Sequence, residues 1–151
     1  MTESDADVLH ALTALEVDYW HDVDHNWGRT ASTLYVEGGV FAIGDKTMSG
    51  REEIAAFYRW REGRGERTAR HIVSNFRLGA REGNRARFEC ILALYAADGR
   101  PVLESRPAIM IADVVSECER GADRRWRFVS HLLRPVFMGG EPPTIPPDGK
   151  R

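Results

Sequence analysis

Cysteine is scarce in this sequence: two in 151 residues, Cys90 and Cys118. They fit neither a metal-ligand spacing nor a secreted disulfide framework. Both fall in strand-like runs, so they read as buried or half-buried thiols in a reducing compartment. No apolar run approaches the length of a membrane span. Residues 1–7 are acidic and hold no apolar signal-peptide stretch, so the expected location is cytoplasmic. Charge of one sign is also missing: Lys+Arg 21 against Asp+Glu 23 leaves a net −2. That removes the electrostatic case for nucleic acid or an anionic membrane as partner. Gly38-Gly39 and Gly63-Arg64-Gly65 lack the spacing of a phosphate loop and read as turns. No internal repeat is present.

What is there suits one globular domain over residues 1–138, large enough to bury a core without staples. Apolar content of 42% and charged content of 29% are ordinary for such a domain. Ser4 and Asp7 form a capping-box pattern that opens a first helix. Val8, Leu9, Leu12, Leu15, Tyr19, Trp20, Val23 and Trp27 then recur at helical spacing, within an arc of roughly 140°. Two carboxylates touch that apolar arc: Glu16 lies inside it and Asp24 at its edge, beside Trp20. Each costs desolvation energy unless it is paired, so each predicts a partner elsewhere. The helix is expected to break over 26–28, with a short second helix at Arg29–Leu34. A strand at Val40–Ile43, a turn at 44–46 and a returning Thr47–Met48 follow. Ser49-Gly50-Arg51-Glu52 reads as a second capping box, opening a helix that carries Ile54, Phe57, Tyr58 and Trp60 and ends near 63–65.

The second half changes period. Strands are predicted at Thr68–Leu78, Arg85–Ala97, Val102–Cys118 (bent near Pro107) and Arg125–Phe137, with turns at 82–84, Asp98-Gly99 and 121–124. Residues 139–151 are rich in proline and glycine and read as an extended tail. Helices first and antiparallel strands second make the fold class α+β, with helices on one face of a sheet.

This order, together with the Tyr19–Asp24 helix end, Gly50-Arg51-Glu52-Glu53-Ile54, Arg70-His71 and Trp126-Arg127-Phe128, resembles the nuclear-transport-factor-2-like superfamily, in particular its SnoaL-like and scytalone-dehydratase-like branch. The resemblance covers about residues 8 to 138. It implies a cone: a strongly curved, mainly antiparallel sheet with three N-terminal helices closing a central pocket. It also implies that His71 is a general base or acid held by Asp24, with Tyr19 as a substrate-polarising phenol. Arg134 matches a functional arginine of some relatives.

The chemistry stands beside the resemblance. An imidazole titrates near neutral pH, and a carboxylate on one nitrogen fixes its tautomer and stabilises its charged form. A phenol can hydrogen-bond a carbonyl as charge develops on it. Such a site suits proton abstraction beside a carbonyl and needs neither metal nor organic cofactor. Alternation puts His71, Val73 and Asn75 on one face of their strand. It puts Trp126, Phe128, Ser130, Leu132 and Arg134 on one face of the last strand, with His131 opposite, at the surface or an interface. Asn75, Arg134, Trp20 and Tyr95 are the expected substrate contacts. One departure counts against a specific dehydratase: Ile91–Tyr95 carries no acid where some relatives have one, leaving Glu16, Glu89 or Tyr95 to substitute. The arginines Arg59, Arg61, Arg64, Arg67 and Arg70 read as a solvated helix end rather than a nucleic-acid patch. The expected function is a cofactor-independent lyase or isomerase on a small apolar carbonyl or hydroxyl compound. The alternative is a non-catalytic ligand-binding or oligomer-forming protein. Dimers or trimers are expected through the outer face of the sheet.

Overall fold

A computed structural model of the chain describes residues 3–139. Two α-helices, α1 (Asp5–Asn26) and α2 (Gly50–Glu62), pack on a six-stranded sheet. The strands are β1 (Tyr35–Ile43), β2 (Lys46–Ser49), β3 (Arg67–Glu82), β4 (Arg85–Asp98), β5 (Met110–Arg120) and β6 (Trp126–Met138). Their spatial order is β2-β1-β6-β5-β4-β3; β1 runs parallel to β6 and every other pairing is antiparallel. The two end strands do not meet, so the sheet is open. The class is α+β, as expected.

The first capping box forms. Ser4 Oγ accepts from the Asp7 amide at 3.1 Å, and Asp7 returns a carboxylate oxygen to the Ser4 amide at 3.2 Å. The apolar arc of α1 then buries Val8, Leu12, Tyr19 and Trp20 against the concave face of the sheet. Trp27 ends the helix in a left-handed conformation (φ 60°), followed by Gly28 at φ 68°. A Cβ on Gly28 would lie 2.6 Å from the Tyr58 ring, so only glycine lets α2 sit this close to the end of α1. Asp22 fixes the same corner by accepting from the Thr30 amide and hydroxyl at 3.0 and 2.7 Å.

Three expectations are corrected. The second of three helices is a 3-10 turn, Ala31–Leu34, so the helix count is two. One turn is too short to hold an α-helix, and β-branched Thr30 precedes it while Thr33 lies within it. The second capping box does not form as expected: the Ser49 hydroxyl caps nothing, Glu52 pairs with Arg59, and it is Glu53, one residue on, that accepts from the Ser49 amide at 2.7 Å. Asp98-Gly99 is not a hairpin between β4 and β5. Gly99 is held to the start of β3, its amide on the Glu66 carbonyl and its carbonyl on Thr68 Oγ1. Irregular chain containing Pro101 and Pro107 then delays β5 to Met110. The expected tail over 139–151 lies outside the described residues apart from Gly139.

Bulges decide which strand residues face inward. In β3, Ser74 pairs with Ile91 and Arg77 with Glu89, so β3 carries one extra residue where Asn75 sits at φ 58°. In β6, Phe128 pairs with Cys118 and Ser130 with Glu117, which makes Val129 the extra residue. Each insertion reverses the alternation beyond it. Phe76 replaces Asn75 on the inner face, and His131 and Leu133 replace Leu132 and Arg134.

Gly28→Ala forces both a positive φ and a clash with Tyr58. It is expected to lower unfolding free energy by more than about 1 kcal/mol, read from the urea midpoint; an unchanged midpoint would contradict this close approach.

Candidate active site

α1 delivers its two carboxylates to opposite sides of the concave face. Asp24 reaches β3 and uses both oxygens on one residue. Oδ1 lies 2.6 Å from His71 Nδ1, and Oδ2 accepts the His71 backbone amide at 2.8 Å. The side chains are 9% and 6% exposed for His71 and Asp24. With Nδ1–H donating to Asp24, Nε2 carries the lone pair of the ring and is left for the cavity. The backbone bond fixes the carboxylate against rotation, so the tautomer and the ring plane are set together. Trp20, one turn before Asp24, stacks on the imidazole at 4.2 Å with planes 12° apart.

Glu16, a further turn back, is fully buried. Its Oε1 accepts from Trp20 Nε1 at 2.7 Å and lies 3.0 Å from His131 Nε2. His131 is therefore not the surface residue that simple alternation gives: the bulge at Val129 turns it inward, and it is completely buried. Its Nδ1 is 2.9 Å from Tyr35 Oη, which is 3.1 Å from Tyr19 Oη, which is 2.5 Å from Tyr58 Oη. A continuous row of polar groups thus runs from Glu16 through His131, Tyr35 and Tyr19 to Tyr58. Each phenol has one proton, and Tyr35 donates its own to Tyr19. Tyr35 therefore accepts from His131 and Tyr19 donates to Tyr58, leaving the Tyr58 proton for the cavity. Hydroxyl rows of this kind strengthen each bond by polarisation.

The cavity encloses about 60 Å³. Its wall is mostly apolar, with Phe41, Phe57, Leu94, Met110 and Leu133, and His71, Tyr58 and Arg61 are its polar members. A lone-pair nitrogen and a phenol facing one apolar space can take a proton and stabilise the developing oxyanion.

The expected site residues divide accordingly. Asp24, His71 and Trp20 meet at the cavity. Tyr19 stands one hydrogen bond behind it, and Tyr58 is the phenol that lines it. Asn75 and Arg134 do not face it; with Arg77, Glu89 and Asp113 they line a groove on the outer side of the sheet. Tyr95 is 42% exposed on that same outer side. Neither Glu89 nor Tyr95 can supply the missing strand acid, because both point outward, and Glu16 is committed to Trp20 and His131. The inward residues of that stretch of β4 are Leu92 and Leu94. His131 had one sequence signal, a carboxylate at Glu16 inside an apolar arc that needed a buried partner. Tyr58 had none, since a tyrosine in an amphipathic stripe reads as core.

No known family profile matches the sequence, and no curated protein does. Solved structures do match. A candidate scytalone dehydratase from Novosphingobium aromaticivorans superposes with a TM-score of 0.79 at 18% identity, covering 100% of this chain and 99% of that one. ActVI-ORFA from Streptomyces coelicolor gives 0.75 at 12% identity, over 85% of this chain and 97% of that one. A Catenulispora acidiphila protein in complex with S-DNPA gives 0.73 at 16% identity, over 87% and 95%. The fold is nuclear-transport-factor-2-like. At these identities the likeness establishes the fold, and the chemistry of this chain has to come from its own residues.

The row of phenols makes a prediction about base titration. Burial, first of all, pushes Tyr19, Tyr35 and Tyr58 well above the ordinary tyrosine value of 10.0, with negative neighbours including Glu16 adding to it. The folded state therefore holds protons that the unfolded chain releases above pH 10.0. The stability they contribute is full below that pH and is lost as pH rises from it towards the raised folded values. Absorbance at 295 nm should show these three phenolates forming only together with unfolding. Their ionisation near pH 10 in a chain with native circular dichroism would contradict the buried row.

Proposed function

We propose that the protein is a cofactor-independent lyase or isomerase of dehydratase type, acting on a small, largely apolar carbonyl or hydroxyl compound. The observation that carries this reading is the 2.6 Å His71–Asp24 pair at the wall of an apolar cavity. Nε2 of His71 removes a proton from the carbon beside the substrate carbonyl, and Asp24 stabilises the imidazolium that forms. Tyr58, backed by Tyr19, donates to the carbonyl oxygen as it becomes an enolate. The enolate then collapses. Either it expels a β-hydroxyl, which takes the His71 proton and leaves as water, or it accepts that proton at another carbon. Trp20 holds the ring by stacking. Asn75, Arg134 and Tyr95 take no part in this scheme because they lie on the outer side. The S-DNPA complex of the Catenulispora protein supports a small-molecule ligand in a cone of this type.

Positioned general-base catalysis contributes about 10²–10⁴-fold. His71→Ala should therefore lose turnover by that factor on a panel of hydroxy-ketones and enones, with its circular dichroism unchanged. Equal rates for the two proteins would end the proposal.

A second reading, a binding protein without turnover, has two observations in its favour: no acid on the inner side of β4 over Ile91–Tyr95, and a cavity of only about 60 Å³. Saturable ligand binding with no turnover by wild type on the same panel would favour it. Under either reading we propose a dimer or trimer formed through the outer face of the sheet, where Ile72, Ile91 and Tyr95 are exposed. Light scattering at micromolar concentration should give a multiple of the 17.1 kDa chain mass; a monomer mass would rule that out.

A further inference from the structure

The five arginines from Arg59 to Arg70 do not make one solvated face. Arg59 is exposed and pairs with Glu52 at 3.1 Å, Arg64 covers the Trp60 ring at 5.2 Å, and Arg70 is exposed. Arg61, from α2, and Arg67, from the first residue of β3, turn inward instead. With Asp24, Trp27 and Tyr58 they line a second hollow of about 140 Å³. Val23, Tyr58 and Arg61 belong to both hollows, so this one adjoins the His71 cavity.

The charges there do not balance. Asp24 is the carboxylate of this wall, and both its oxygens are taken by His71. Asp98 is the ion-pair partner of Arg61, at 3.9 Å, but it is 71% exposed while the arginine is 13% exposed. Nη2 of Arg67 is buried and has no hydrogen-bond partner among the described residues. Burial, and then the Arg67 charge beside it, pull the Arg61 guanidinium down to about 10, still protonated at neutral pH. Burial likewise lowers Arg67. Two guanidiniums held in a shared hollow, one of them with an unmet donor, are short of an acceptor that brings negative charge.

We infer that Arg61 and Arg67 form a subsite for a carboxylate on the ligand, whose apolar remainder extends past Tyr58 into the cavity of His71. The planar fork of an arginine matches the two oxygens of a carboxylate, and the apolar wall next door accepts a hydrocarbon body. This rests on the reading that the His71 cavity is the ligand site, and it narrows the ligand class to small carboxylic acids.

The test needs no turnover. Trp20 and Trp27 border the two hollows, so binding can be followed by intrinsic fluorescence with cyclohexanecarboxylate and its neutral isostere cyclohexanecarboxamide at matched ionic strength. Wild type should bind the acid at least about tenfold more tightly than the amide. Arg67→Gln should lose that preference and bind the amide as before, and it should melt no lower than wild type because a half-buried positive charge is removed. Arg61→Gln serves as the second variant if Arg67→Gln does not fold. Equal binding of acid and amide by wild type, no saturable binding of the acid, or a preference that survives both substitutions would overturn the inference. Inorganic phosphate binding more tightly than the acid would overturn the carboxylate assignment. His71→Asn, inactive under the proposed mechanism, should keep the preference for the acid. Failure of the chemistry and failure of this subsite are therefore told apart.

Discussion

Asp24 joins helix to sheet twice at one residue, and the arrangement of the concave face depends on that joint. One oxygen holds the His71 amide and the other holds its ring, so neither the helix nor the strand can slide without breaking both bonds. From there the helix counts back in steps of four. Trp20 lies on the His71 imidazole, and Glu16 receives the Trp20 indole and faces His131. Residues 16, 20 and 24 are neighbours on one helical stripe, and together they span the concave face from β3 to β6. The two carboxylates that looked out of place in an apolar arc are the two ends of this stripe.

A buried carboxylate is tolerable only when it is paired. Glu16 has an indole N–H and an imidazole, and the imidazole passes the connection through three phenols to the cavity wall. The row connects one buried acid deep in the fold to a polar group, Tyr58, on the wall of the cavity that His71 also lines. An imidazole fixed by Asp24 and a phenol joined to Glu16 through His131 border one cavity, which is what the proposed chemistry beside a carbonyl calls for. Arg61 and Arg67 add what neither pair provides, a charged end to hold a ligand in one orientation.

Much of this was legible in the residues. Helical spacing identified α1 and its apolar face, Ser4 and Asp7 its start, and the desolvation cost of a carboxylate marked Glu16 and Asp24 as residues needing partners. The change of period after residue 66 identified the sheet and hence the α+β class. Residues on strands were read less well, and for one reason. Alternation assumes a regular ladder, whereas β3 and β6 are each interrupted by two register shifts, the first of them at Asn75 and at Val129. Beyond an insertion every side chain changes side. That is why Asn75 and Arg134 left the inner face while His131 turned into the core behind the cavity. Nothing in Val73-Ser74-Asn75-Phe76 or Phe128-Val129-Ser130-His131 announces a bulge; pairing with the neighbouring strand creates it.

The sequence by itself determined the local elements and the residues that could not be left alone: a helix with acids in its apolar stripe, a histidine opening a strand, and strands of amphipathic period. Those follow from interactions within a few residues of chain, where spacing is the geometry. Tertiary structure alone decided which acid met which histidine, that Tyr58 rather than Tyr19 borders the cavity, and that two of five arginines turn inward. These are contacts between residues 39 to 115 positions apart in the chain, set by sheet register, by the close approach of Gly28 to Tyr58 and by the bulges. None of those quantities is written in the spacing of any single segment.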